Sequence, residues 1–223
     1  MAEQLIEIEG VDRLIRGLDE AVQVLVTRAA SDALTTTAFD VQRETRKTME
    51  RVFEDPNPFT LSAFNVSKAS FKKRPIEAEV FVNNAAGRDR TPYLTFQVFG
   101  GVRGPGDYAS TQIGPLLPNA VKLNKFGNFP LGPKRYLGRS SSRRREFVGI
   151  PRGHPGAPFG VYKRVGRGGR ERLSLLAVFR DKARYAADKL PFFEIADKVF
   201  DDEFAGLFEK NFDKEFAKSS NWK

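Results

Sequence analysis

The chain has 223 residues, of which 40% are hydrophobic and 29% charged, a composition typical of a folded globular protein and unlike that of a disordered chain. It contains no cysteine, which excludes disulfides and thiolate metal sites, and no apolar run long enough to cross a membrane. The net charge is +9, and the excess lies between Lys134 and Arg170, where eleven basic residues accompany one acidic residue, Glu146.

The first part of the chain is predicted to be helical. Its start lacks the basic and apolar regions of a secretory signal, so we expect folding in the cytoplasm. Residues 5–8 predict a short strand, and apolar residues at three- and four-residue spacing predict a short helix over 11–18. The same spacing continues over 21–53 without proline or glycine, which predicts a helix of roughly thirty residues. Its expected weak spot is the threonine run 35–37, because β-branched side chains lose rotamer freedom in a helix.

Two strands are predicted after this helix. The sequence Asp55-Pro56-Asn57-Pro58 must end the helix, since each proline disfavours helical geometry in the residue before it. Apolar and polar residues alternate over 63–70 and 77–82, as in strands with one buried face. The segment 72–75, Lys-Lys-Arg-Pro, is predicted to be an exposed hairpin loop between them.

The middle of the chain, residues 83–169, is rich in glycine and proline. Short strands are predicted at 147–150 and 160–165. A loop-rich stretch of this length is usually functional or becomes ordered on binding. Residues 173–179 then predict a largely buried strand, because most of their side chains are apolar.

The last part is predicted to be one amphipathic helix that begins at Phe192 or Phe193, after Pro191. Phenylalanines recur at every fourth position and define one stripe along it: Phe200, Phe204, Phe208, Phe212 and Phe216. Such a stripe is usually core, and the alternative is docking on a neighbouring subunit.

The residues that catalysis requires are scarce. His154 is the only histidine, lies in a turn-like sequence, and has no Gly-x-Ser-x-Gly elbow to support a triad. The glycines of residues 101–106 match no phosphate-binding loop. Asp201, Asp202 and Glu203 are expected to be a solvated helix face. We therefore predict no catalytic, metal or cofactor residue.

The strongest charge feature is an arginine cluster followed by a glycine-rich basic segment. The candidate contact residues are Arg139, Arg143, Arg144, Arg145, Arg167 and Arg170. Arginines neutralise phosphates and release counterions, so contact with DNA is one interpretation. A subunit salt-bridge surface or a simple solvated face is favoured by the pattern, because few aromatic residues are interleaved for base stacking.

The order of segments resembles one known family. Residues 33–41 (Ala-Leu-Thr-Thr-Thr-Ala-Phe-Asp-Val), then Met49, Phe53 and residues 55–60 (Asp-Pro-Asn-Pro-Phe-Thr), resemble the minor tail protein Z family of lambda-like phages and prophages. That family pairs an Ala-Leu-x-x-Thr-Ala helix with a Phe-Asp-x-Pro-Thr-Pro-Phe-Thr turn, and Asn57 stands here where threonine is usual. Looser matches follow in order at residues 124–128, 158–164 and 176–185.

The resemblance implies an α+β fold in which a long N-terminal helix packs on a small antiparallel sheet, with a loop-rich middle insertion and an amphipathic C-terminal helix. We expect one domain over 1–223, made of residues 1–82, the basic insertion 83–170, and residues 171–223.

The function that the resemblance implies is a structural role in the virion with no enzymatic activity and no cofactor. The chain would complete the head-proximal end of the tail tube or join it to the head. Expected partners are the tail terminator, the tail tube and the head-tail connector, together with copies of the chain itself in a ring, commonly six-fold. The alternative function is a basic nucleic-acid-binding protein that contacts DNA through residues 134–170.

Overall fold

The computed structural model of the chain describes residues 20–83, 91–107, 110–129, 145–166, 172–187 and 189–220. The strand and helix predicted over residues 5–18 lie outside this part. In chain order the elements are α1 (Glu20–Val52), α2 (Pro58–Leu61), β1 (Phe64–Ser67), β2 (Glu79–Val82), α3 (Thr91–Val98), β3 (Gly101–Arg103), β4 (Leu116–Pro118), β5 (Glu146–Gly149), β6 (Gly160–Val165), β7 (Arg172–Phe179), β8 (Ala183–Tyr185) and α4 (Phe192–Ser220). The expected α+β class is confirmed.

The chain divides into two compact units, where the sequence predicts a single domain with an insertion. The first, here called the helical unit, comprises Met1–Val52, Pro58–Arg90 and Leu190–Lys223. The second, here called the sheet unit, comprises Phe53–Asn57 and Thr91–Lys189. The middle of the chain therefore belongs to a unit with its own sheet and its own buried residues.

Helix α1 agrees with the prediction to within one residue at each end, because no proline or glycine interrupts its apolar repeat. Asp55, in the turn beyond it, has a φ of +43°, a conformation that aspartate tolerates better than most residues. The threonine run does not break the helix. Thr36 donates its hydroxyl to the Asp32 carbonyl at 2.9 Å, and the Thr35 hydroxyl accepts the backbone N–H of Ala69 at 3.1 Å.

The first two strands form the predicted antiparallel hairpin. Phe64 pairs with Val82 and Val66 with Val80, so these four side chains share one face of the hairpin. Phe64 is buried and stacks on Phe192 of α4, with ring centroids 5.0 Å apart. This face therefore packs towards the helices of the same unit.

Helices α1 and α4 run antiparallel. Near one end, Val41 of α1 forms a buried cluster with Ala196 and Val199 of α4. Near the other end, Arg28 of α1 forms an ion pair with Glu215 of α4, with 3.6 Å between the charged atoms. The small and β-branched residues in the cluster allow the two helices to approach closely, and Val80 of the hairpin packs against it.

The sheet unit contains a four-stranded antiparallel sheet in the order β4-β7-β6-β5. One face carries its buried cluster, which consists of Leu116, Val161, Ala177 and Phe179. The strand predicted over 173–179 is confirmed as β7, but it is not largely buried. Only Ala177 and Phe179 are buried, and Leu173 is exposed. Leu173 leaves the buried face because the register between β6 and β7 shifts at Val161/Tyr162, which reverses the alternation of faces beyond Leu176.

A second, smaller pair of strands also belongs to the sheet unit. Strand β3 pairs with β8 in antiparallel register, and Tyr185 of β8 stacks on Phe96 of α3 with ring centroids 5.3 Å apart. Gly100, at φ +67°, comes so close to the backbone of Ala187 that a Cβ would lie 2.6 Å from its nitrogen. Neither α3 nor β3 was predicted from the sequence.

Candidate functional site

The phenylalanine stripe forms a continuous ladder of rings along α4. We call Phe200, Phe204, Phe208, Phe212 and Phe216 the phenylalanine ladder. Successive ring centroids lie between 4.7 and 6.3 Å apart, with neighbouring ring planes within 28° of parallel. Residues four apart are neighbours on a helix surface, so the spacing itself produces the stacking.

The ladder leaves the buried side of α4 gradually. Four residues turn a helix by about 400°, so each ring lies about 40° further round than the one before. The ladder begins next to Ala196 and Val199, which are buried, and its first four rings are half-buried. Phe216, the last ring, is 58% exposed. Of the predicted docking residues, Phe216 is the one whose ring is mainly open to solvent.

Beside Phe216 lies a buried carboxylate. Glu215 is buried, and it pairs with Lys218 on the same helix and with Arg28 on α1. The hydrogen bond from Lys218, helped by the positive charges of Lys218 and Arg28, lowers the pKa of Glu215, although burial acts in the opposite direction. The Glu215 carboxylate therefore forms an ion pair that links the last turns of α4 to the first turns of α1.

The lowered pKa predicts an acid-sensitive contact at this end of the helix pair. A group with a depressed folded pKa stabilises the protein above its unfolded pKa of about 4.3, and this stability is lost as the pH falls through the folded pKa. Glu215→Gln should therefore be less stable than wild type at neutral pH and should lose less stability on acidification. Urea midpoints measured at pH 7 and pH 3 test this, with the exposed Asp213→Asn as control. Parallel pH curves for wild type and Glu215→Gln would contradict the assignment.

Most of the predicted arginine contacts lie outside the described residues: Arg139, Arg143, Arg144, Arg167 and Arg170. Arg145 is described and exposed, and its carbonyl accepts the backbone N–H of Arg164 at 2.7 Å. It therefore stands immediately before β5, opposite the last residues of β6.

The strand register places further basic residues at this end of the sheet, with Lys163 and Arg172 on one face and Arg145 and Arg164 on the other. Lys163 lies opposite Glu146 on one side and Ser174 on the other, and Arg172 lies opposite Val165. We call Arg145, Lys163, Arg164 and Arg172 the basic sheet end. Lys163 and Arg164 belong to the basic segment 134–170 that the sequence predicts as an alternative DNA contact, whereas Arg172 lies outside it. The signal that unites them is the pairing register, which is a long-range property.

An aromatic pair supports this end of the sheet. The guanidinium of Arg164 lies over the ring of Phe147, 4.7 Å from its centroid, and Phe147 stacks on Tyr162 with centroids 5.6 Å apart. Tyr162 donates its hydroxyl to the Pro158 carbonyl at 2.7 Å, and burial raises the pKa of this phenol. The pair fixes the position of Arg164, since a guanidinium over an aromatic face is held by the ring's quadrupole.

A depression of about 400 Å³ adjoins Tyr162. It is lined by Pro151, His154, Gly156, Ala157, Tyr162 and Leu173. His154 is exposed, and its backbone N–H donates to the Pro151 carbonyl in a turn, as the sequence predicts. These six residues include no carboxylate, so the lining offers His154 no acidic partner to orient its ring.

The acidic side chains of the described residues do not form a metal site. No group of three or more histidine, aspartate or glutamate side chains in this part of the chain is placed to hold a metal ion. Asp201, Asp202 and Glu203 are all exposed on α4, as expected of a solvated acidic face. None of the helices searched there combines the length and apolarity that crossing a membrane requires.

Comparisons with protein-family models, with curated proteins and with solved structures find no match to this chain.

Proposed function

We propose that this chain is a structural protein of a long-tailed phage virion, which completes the head-proximal end of the tail tube or connects it to the head. The observation that carries the proposal is the segment from Ala33 to Thr60, whose sequence resembles the opening of the minor tail protein Z family. No catalytic residue, metal or cofactor forms part of the proposal.

The positions of the resembling residues support this proposal. Ala33, Leu34, Ala38 and Val41 are buried in α1, and Met49 is fully buried near its end. Residues at such positions preserve a fold, and a motif made of them is the kind that a structural family would share. The architecture agrees with the one that the resemblance implies, a long helix on an antiparallel hairpin with a helical C-terminus.

The proposal includes assembly with other copies of the chain and with the tail terminator, tail tube and head-tail connector. A ring needs one surface that docks repeatedly on a different surface of the next copy. The exposed end of the phenylalanine ladder is the proposed docking surface in the helical unit. A second copy suits it because α4 as a whole carries eight acidic and four basic side chains, whereas the chain has a net charge of +9.

The proposal is tested by locating the chain in particles. A phage or prophage that encodes the chain should carry it at the tail or neck in cryo-electron microscopy reconstructions. An amber mutant should yield tails and filled heads that fail to join, and a plasmid copy should restore joined particles. Joined, infectious particles that lack the chain would refute the proposal.

Assembly through the ladder is tested by Phe216→Ser. Truncating an aromatic hot spot weakens an interface by about 2 kcal/mol or more, so we expect about thirtyfold weaker self-association in sedimentation or light-scattering titrations. The control is Phe81→Ser, since Phe81 is 44% exposed on the outer face of the hairpin in the same unit. Equal weakening of self-association in both variants would show that the phenylalanine ladder is not the docking surface.

A further inference from the structure

The turn of the β1–β2 hairpin carries an exposed aromatic ring in contact with two cations. The Phe71 side chain is 37% exposed. The guanidinium of Arg28 lies 5.1 Å from its ring centroid, and the ammonium of Lys72 lies 5.7 Å from it. Arg28 also pairs with Glu215, which directly precedes the exposed Phe216. One guanidinium therefore places the hairpin turn beside the exposed end of the phenylalanine ladder.

The hairpin turn gives this part of the helical unit a positive charge. Residues 68–76 contain four basic residues and no acidic one, and Lys72 and Lys73 are both exposed. Aromatic residues and arginine are enriched where proteins contact each other, whereas lysine belongs to the rim of such contacts. This surface has both kinds of residue. We call it the aromatic-cationic end, and it consists of Arg28, Phe71, Lys72, Lys73 and Phe216.

The exposed side of α4 has the opposite charge and small side chains. Asp202 and Glu209 are exposed and seven residues apart, so they lie on one line along the helix, about 10 Å from each other. Ala205 and Gly206 lie between them and are also exposed. A Cβ on Gly206 would meet nothing within 4 Å, so the space above it is open. We call these four residues the acidic line of α4.

The two surfaces are complementary in shape and in charge. One has aromatic rings next to cations, and the other has a gap of small side chains with a carboxylate at each end. They also occupy different places on the helical unit, since Asp202 lies thirteen residues before Glu215, which is about 20 Å along α4. A contact between them is therefore heterologous, the kind that builds a ring from identical copies.

We propose that the aromatic-cationic end of one copy docks on the acidic line of α4 in a second copy. The rings of Phe71 and Phe216 cover the small residues, and the cations pair with Asp202 and Glu209. This contact rests on the part of the proposed function in which copies of the chain assemble, and it names both surfaces. It is tested with the purified chain, whereas the virion role is tested in particles, so either can fail while the other stands.

The test is a charge swap between two variants of the full-length chain. The first variant carries Lys72→Glu and Lys73→Glu, and the second carries Asp202→Lys and Glu209→Lys. Alone, each variant brings like charges together at the contact, so its self-association in sedimentation velocity should be at least about tenfold weaker than that of the wild type. Mixed in equal amounts, each variant offers the surface that the other needs, and association should return to within about threefold of the wild type.

The control variant carries Lys47→Glu and Arg51→Glu, which make the same change of charge on the exposed side of α1 in the same unit. It should self-associate as the wild type does, and mixing it with the Asp202→Lys and Glu209→Lys variant should restore nothing. Circular dichroism verifies that all three variants are folded. Salt should weaken association of the wild type, because it screens attraction between exposed charges.

Restored association in the mixture of the two swapped variants, and not in the control mixture, would establish the contact. Four results would overturn it. The first is no self-association of the wild-type chain up to about 100 μM. The second is a mixture of the swapped variants that associates no better than either variant alone. The third is an equal effect of the control variant, which would assign association to net charge. The fourth is unchanged self-association of the Lys72→Glu and Lys73→Glu variant together with loss of binding to a mixed-sequence DNA duplex, which would assign the hairpin turn to nucleic acid.

Discussion

Replacing Met49 by alanine is expected to lower the free energy of unfolding of the helical unit by about 2–5 kcal/mol. The Met49 side chain is 0% exposed, close to the end of α1, and it is among the largest fully buried side chains of the described residues. Truncation to alanine removes three heavy atoms and leaves a cavity, because a close-packed interior relaxes only partly. Urea titrations followed by circular dichroism and by hydrogen exchange of α1 peptides measure the loss.

The matched control is Glu50→Ala, one residue further along the same helix. Glu50 is exposed and pairs with the exposed Arg46, and such pairs contribute at most about 1 kcal/mol. A loss in Met49→Ala no larger than that in Glu50→Ala would mean that the last turns of α1 contribute little to the core. It would also weaken the proposed function, because Met49 belongs to the segment that carries the family resemblance.

The helical unit was the part of the fold most accessible from sequence. Helix α1 has a continuous apolar repeat and is ended by Pro56, both of which are local signals. The alternation that predicted β1 and β2 is also local, since Phe64, Val66, Val80 and Val82 share one face of a hairpin. Each of these elements was identified because its own residues determine its structure.

The sheet unit was less accessible because its short elements depend on distant partners. Strand β3 has three residues and pairs with β8, and Leu116 of β4 pairs with Phe179 of β7. A three-residue strand has no detectable periodicity, so nothing in residues 101–103 or 116–118 predicts pairing. Glycine and proline in the middle of the chain indicated loops, and they also mark the turns that connect these strands.

The candidate surfaces also combine features that local sequence predicts with features that depend on distant parts of the chain. Four-residue spacing predicts the phenylalanine ladder and its position along α4. It does not predict that Phe216 is the exposed member, because exposure depends on how α1 passes the end of α4 near Arg28 and Glu215. The run of arginines predicts a basic segment, but the placement of Lys163 and Arg172 at the same end of the sheet as Arg145 requires the register of three strands.

Gly114→Ala is expected to destabilise the sheet unit by about 3 kcal/mol or more, from backbone strain and steric overlap together. Gly114 has a φ of +134°, and a Cβ there would lie 2.0 Å from the carbonyl oxygen of Arg180. Hydrogen bonds hold both the backbone of Gly114 and the backbone of Arg180, so neither can move aside to relieve the overlap. The Gly114 N–H and carbonyl both bond Thr111 at 3.0 Å, and the Arg180 N–H donates to the Pro115 carbonyl at 3.0 Å.

Gly127→Ala is the control that separates strain from overlap. Gly127 also has a positive φ, +69°, but a Cβ there would meet nothing within 4 Å. This variant should be destabilised by only about 1–2 kcal/mol, which is the cost of placing an alanine in the left-handed conformation. Thermal unfolding and hydrogen exchange of peptides covering β4 and β8 compare the two variants. If Gly114→Ala is no less stable than Gly127→Ala, then the segment after Asp107 does not pack against Arg180. If it is much less stable, the turn at Thr111–Gly114 holds β4 in register with β7, a long-range contact that the surrounding loop sequence does not reveal.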